Sequence, residues 1–238
     1  MAHSLRTKLP RAVLFDYDGV LVSSESIHLE AWMQLLEELG LPKELKLIQQ
    51  YTGRTAPEII KILLERYKDQ IKPGSEPLKY DPHTLAQRKN LFFLSIAKDG
   101  LATYPGVIEG IRELRSRGVL TAVVSNARRF ELEHTMRNLG LYELMDQVVA
   151  RDDVSAFKPD PIPYLFAAAA LSVPVEDCIA VEDSPPGLEA ALMGRIPAAA
   201  VTTNFSKEIL EFPVPGRRDL KPVWIGPSMI EFFKWVLG

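Results

Sequence analysis

Short apolar runs alternate with longer segments in which apolar residues recur every three or four positions. Ala12 to Phe15, Val119 to Val124, Val148 to Ala150, Cys178 to Val181 and Ala198 to Val201 are brief and rich in small or β-branched residues. Such runs predict strands buried on both faces. Between them, helical spacing predicts helices over 106–117, 127–139 and 162–171, one opening at Ser184-Pro-Pro-Gly187, and a closing helix from Met229 to Leu237. Strand alternating with helix predicts an α/β fold with a doubly wound parallel sheet, Rossmann-like in its layering.

One block breaks the alternation. From Leu41 to about Lys98 no strand is predicted. Ile27, Ala31, Leu35, Leu36 and Leu39 mark a helix closed by Gly40; Ile59, Ile60, Leu63, Leu64 and Tyr67 mark a second, starting near Thr55. A third runs from Pro82 to Ala97, with Leu85, Leu91, Phe92, Leu94 and Ile96 partly buried. Lys72 to Pro77 reads as a loop. The expected organisation is therefore an α/β core from 1–22 and 99–238 with an all-helical insertion over 23–98.

The ends of the strands carry the polar residues. The first ends in Asp16 and Asp18, the second in Ser125 and Asn126, the fourth in Glu182 and Asp183, and Lys158 stands in the loop before the 162–171 helix. In a parallel sheet these ends lie on one edge, where α/β folds place their chemistry. Side chains alternate along a strand, so Asp16 and Asp18 point the same way. Taken singly, Ser125-Asn126 and Glu182-Asp183 also fit helix caps, and Lys158 a solvated loop lysine. Taken together, four acids, a hydroxyl, an amide and a lysine suit a hard divalent cation and a phosphoryl group, with Asp16 as a carboxylate nucleophile.

Composition narrows the classes. The chain has 238 residues, 47% of them hydrophobic, enough for a sizeable core. A net charge of −3 gives no support for nucleic-acid binding. The single cysteine, Cys178, excludes an internal disulfide framework and a cysteine zinc cluster, and its apolar neighbours predict a buried thiol. No apolar stretch is long enough for a membrane helix, and Met1 to Lys8 shows no signal core, so a cytoplasmic protein is expected.

Asp-Tyr-Asp-Gly-Val-Leu at 16–21, Val-Val-Ser-Asn at 123–126, Phe-Lys-Pro-Asp-Pro at 157–161 and Val-Glu-Asp-Ser-Pro-Pro-Gly at 181–187 resemble, in order, the four motifs of the haloacid dehalogenase superfamily. The helical insertion is similar to its first type of cap, and the chain to its phosphatase and β-phosphoglucomutase-like branch. The resemblance implies that Asp16 forms an aspartyl-phosphate and that Asp18 acts as general acid, then base. It implies Mg2+ held by Asp16, the Asp18 carbonyl and Asp183, with Glu182 as ligand or support. Ser125, Asn126 and Lys158 would bind phosphate. His28, Arg54 and Lys89 would be cap residues near the substrate, although Arg54 stands closer to Gly53 than the arginine of the sugar phosphomutases does to its glycine. Ser23 stands where many relatives have aspartate. The implied activity is hydrolysis of a small phosphorylated metabolite, a sugar phosphate or related alcohol. A phosphomutase is the alternative. Further from the motifs stand a dehalogenase, a phosphonate-cleaving enzyme and a non-enzymatic binding module.

Overall fold

The structure is a computed structural model and describes residues 9–44, 47–48, 55–68 and 80–238. The expected loop at Lys72 to Pro77 and the candidate residue Arg54 lie outside the described residues. The chain divides into two compact units, Met1–Ser23 with Ala102–Gly238, and Ser24–Leu101.

The first unit is built on six strands: β1 (Ala12–Phe15), β2 (Leu120–Val124), β3 (Gln147–Val149), β4 (Cys178–Glu182), β5 (Ala198–Val201) and β6 (Trp224–Gly226). Their order is β3-β2-β1-β4-β5-β6 and every pairing is parallel. Parallel pairing requires crossovers, and the helical segments between strands supply them. The chain moves outward from β1 in one direction, then restarts at β4 and moves in the other. The switch point therefore lies between β1 and β4, which is where an open sheet leaves a crevice at its carboxyl edge.

Burial explains the apolar runs. All four residues of β1 and all five of β4 are buried. On one face, Leu14, Ala122, Val124 and Ala180 join Tyr164 and Ala167 in a continuous core. On the other, Phe15 meets Phe232 and Phe233 of the closing helix at ring separations of 6.3 and 6.2 Å. Truncating a buried aromatic such as Phe15 costs about 3–5 kcal/mol. Cys178 is buried, as its neighbours predict.

The helical unit contains α1 (Glu25–Glu38), α2 (Ala56–Arg66) and α3 (Pro82–Gly100). Trp32, Leu35 and Leu36 of α1, Ile59, Ile60 and Leu63 of α2, and Leu85 and Ala86 of α3 form one cluster. Thr55 opens α2 with a capping box: its backbone N–H and hydroxyl both donate to Glu58, at 2.8 and 2.6 Å. Gly40 closes α1 with a φ of +67°.

Some expectations need correction. Leu91 is not partly buried but 59% exposed, because the inward stripe of α3 runs through Leu85, Lys89, Phe93 and Ala97. The strand β6 was not predicted. It has three half-buried residues at the sheet's edge, too few for an alternating pattern to show.

Candidate active site

The register fixes the first contacts. Phe15 pairs with Val181 of β4 and with Val123 of β2, so the next residue, Asp16, emerges beside Glu182 and Val124. Asp16, Glu182 and Asp183 each bring a carboxylate oxygen within 4.8 Å of the others. Tyr17 turns inward, and its hydroxyl donates to Thr135 Oγ1 at 2.9 Å. Asp18 follows in the turn, half-buried, and its like charge acts on Asp16.

Lys158 reaches into this cluster from the loop before the helix at Ile162–Ala170. Its side chain is 5% exposed, and Nζ donates to Asp16 Oδ1 and Glu182 Oε1, both at 2.6 Å, and to the Val124 carbonyl at 2.8 Å. All three ammonium protons are thereby used. Asn126 holds the loop in place by two hydrogen bonds with the Lys158 backbone: its amide nitrogen donates to the Lys158 carbonyl, and the Lys158 N–H donates to its Oδ1, both at 3.1 Å. Ser125 is buried and accepts from the Ala127 N–H at 3.1 Å, which leaves its hydroxyl proton to donate.

Glu182 has no exposure at all. Oε1 accepts from Lys158 and, at 2.8 Å, from the Tyr164 hydroxyl; Oε2 accepts from the Asp183 N–H at 3.2 Å and from Ser184 Oγ at 3.0 Å. A carboxylate has about four acceptor positions, and here all are occupied. Two glycines make room for this packing. A Cβ on Gly187 would stand 1.9 Å from Glu182 Oε1, and one on Gly19, at φ +80°, would stand 2.1 Å from Asp183 Oδ2.

Among the described residues, the three clustered carboxylates face one ammonium, an excess of two negative charges before the like charge of Asp18 is added. The titration behaviour reflects this excess. Burial, and then repulsion from Glu182, push Asp16 up to about 7, although Lys158 pulls the other way. Burial, Asp16 and Glu182 push Asp183 well above the ordinary aspartate value, against a hydrogen bond from Asn204. Burial would lower Lys158, but its two carboxylate neighbours outweigh it and hold it above the ordinary lysine value. An oxygen-only set with this charge fits a hard divalent cation.

Two contributors carry no sequence signal of their own kind. Tyr164 is a single tyrosine in an alanine-rich helix. Asn204 donates to Asp183 Oδ2 at 2.7 Å, and its neighbour Thr203 donates to the Gly19 carbonyl at 2.6 Å. Both follow β5, and the rule that parallel strand ends share one edge reaches them as well. In the helical unit, His28 Nδ1 lies 2.8 Å from Lys89 Nζ, and the His28 ring stacks on Phe93 at 4.2 Å. Arg54 lies outside the described residues. No helix among the described residues is long and apolar enough to cross a membrane.

The haloacid dehalogenase-like hydrolase family model matches residues 10–193. Validoxylamine A 7′-phosphate phosphatase of Streptomyces hygroscopicus subsp. limoneus is 30% identical to this chain, over 92% of it and 99% of that protein. A phosphorylated carbohydrates phosphatase of Thermotoga maritima is 32% identical over 84% of this chain and 90% of that protein. The crystal structure of β-phosphoglucomutase from Clostridium difficile shares the fold, with a TM-score of 0.71, 20% identity and coverage of 96% of this chain and 98% of that one. The chain belongs to the haloacid dehalogenase-like hydrolases, with the fold of their β-phosphoglucomutase-like branch.

Proposed function

We propose that this hydrolase is a Mg2+-dependent phosphatase that acts on a small phosphorylated metabolite, a sugar phosphate or a related alcohol, through an aspartyl-phosphate on Asp16. The observation that carries the reading is Lys158 bridging Asp16 and Glu182 at 2.6 Å each, beside Asp183. The phosphatases among its relatives support the substrate class.

Asp16 attacks phosphorus, and the bond from phosphorus to the leaving oxygen breaks. Asp18 gives that oxygen its proton. Asp18 then takes a proton from water as the water attacks phosphorus, and the bond to Asp16 breaks. The Ser125 hydroxyl donates to a phosphoryl oxygen, and Lys158 offsets the repulsion between a carboxylate and an approaching dianion. Asn126 serves through the Lys158 loop. Asp16, the Asp18 carbonyl and Asp183 would hold Mg2+, while Glu182, its acceptor positions filled, anchors Lys158 next to them. When bound, Mg2+ would offset part of the negative charge that the carboxylates and the transferring group share.

One observation favours a second reading. His28 and Lys89, which the β-phosphoglucomutase resemblance singles out, meet within the helical unit. A phosphomutase would return the phosphoryl group to another hydroxyl of a sugar. Phosphate release across a panel of phosphorylated metabolites, with Mg2+ and with chelator, tests the first reading. Mg2+-dependent release supports it. Isomerisation of a sugar phosphate with no free phosphate overturns it in favour of the second.

A further inference from the structure

The loop after β5 reaches one candidate metal ligand, Asp183, and the turn that holds Gly19. Thr202 N–H donates to the Gly226 carbonyl at 3.0 Å, and Thr203 Oγ1 to the Gly19 carbonyl at 2.6 Å. These two bonds tie the loop to β6 and to the turn that follows β1. The next residue, Asn204, is exposed, and its amide nitrogen donates to Asp183 Oδ2 at 2.7 Å. The same Oδ2 is closed in by Gly19, where even a methyl group would come within 2.1 Å. Oδ2 is thereby engaged, which leaves Oδ1 as the less encumbered oxygen of Asp183.

A carboxylate confined to one oxygen discriminates between cations. Mg2+ demands near-ideal octahedral geometry at short distances, which single oxygens satisfy. Ca2+ takes six to eight oxygens and readily uses both oxygens of one carboxylate. Glu182 cannot make up the difference, since its oxygens already accept from Lys158, Tyr164, Ser184 and the Asp183 N–H.

We propose that Asn204 is a positioning residue: by pinning Oδ2 of Asp183 it leaves Oδ1 as the single oxygen offered to the metal, and so sets a preference for Mg2+ over Ca2+. This rests on the reading that a divalent cation occupies the site. Removing the Asn204 donor frees Oδ2 to turn toward the ion, and the larger cation gains more from it.

The test is direct metal binding to the metal-free full chain. Mn2+ serves as probe, followed by electron paramagnetic resonance and displaced by Mg2+ or Ca2+, in wild type, Asn204→Ala and Asn204→Leu. The second variant keeps about the side chain's size and removes the amide without adding a charge or a ligand, so packing loss is controlled, and thermal melting checks that each is folded. In both variants the ratio of Mg2+ to Ca2+ affinity is expected to fall about tenfold, the worth of one hydrogen bond to a charged group. A ratio within twofold of wild type in the folded variants overturns the role of Asn204 and leaves the cation reading intact. A wild-type chain that binds no Mn2+ overturns the cation reading itself, and the inference with it.

Discussion

Lys158 and Glu182 form an ion pair in the floor of the site, 2.6 Å from Nζ to Oε1, with the carboxylate wholly shielded from solvent. Removing one partner of a buried pair strands the other. Lys158→Met is therefore expected to cost about 3–5 kcal/mol of stability and to abolish turnover. Adding Glu182→Gln to it is expected to restore much of the stability and none of the activity. Denaturant unfolding of the two single variants and the double variant measures this coupling.

Gly187 gives Glu182 its space. Its missing Cβ would lie 1.9 Å from the carboxylate, closer than any real contact. Gly187→Ala is expected to push Glu182 out of line with Lys158 and Tyr164, to destabilise the fold by at least about 1–3 kcal/mol, and to cut kcat. A melting temperature and kcat equal to wild type would show that the helix start yields without disturbing the carboxylate.

Tyr164→Phe keeps the ring in the core and deletes one donor to Glu182 Oε1. The expected loss is about 1.5–3 kcal/mol, the value of a hydrogen bond to a charged acceptor. Thermal or denaturant unfolding reads it directly.

The raised carboxylates link stability to pH. Asp16 titrates at about 7 in the folded chain against an ordinary 3.8, and Asp183 moves in the same direction. Between those limits the folded chain holds more protons than the unfolded one. Stability without a divalent cation therefore falls as pH rises through this window, whereas Lys158 stays charged throughout. A cation that binds only the folded state opposes the trend. Added Mg2+ is expected to raise the melting temperature more at about pH 8 than at about pH 5. Equal shifts at both would separate the metal from these carboxylates.

Much of this architecture is legible in the chain because the strands are short, apolar and closed by polar residues. Asp16, Glu182 and Asp183 each end such a run, and one parallel register brings them together. Lys158 is legible through its motif, although its three hydrogen bonds are not, since they depend on how the loop folds back. Tyr164 and Asn204 are silent for different reasons. The hydroxyl of Tyr164 matters only because Glu182 lies buried beside it, 18 positions away in sequence. Asn204 follows an alanine-rich strand in a stretch with no apolar periodicity. The misplacement of Leu91 has a simple origin as well: α3 carries apolar residues on more than one face, and only three-dimensional packing chooses among them.

The aspartyl-phosphate mechanism makes Asp16 the nucleophile. Its most direct test is the turnover of Asp16→Asn on the best substrate of the phosphate-release panel, with melting used to confirm the fold. The amide keeps the shape and removes the attacking charge. The expected result is a folded protein whose kcat falls by at least about a thousandfold. A folded Asp16→Asn chain that releases phosphate at near wild-type rate would contradict the aspartyl-phosphate mechanism.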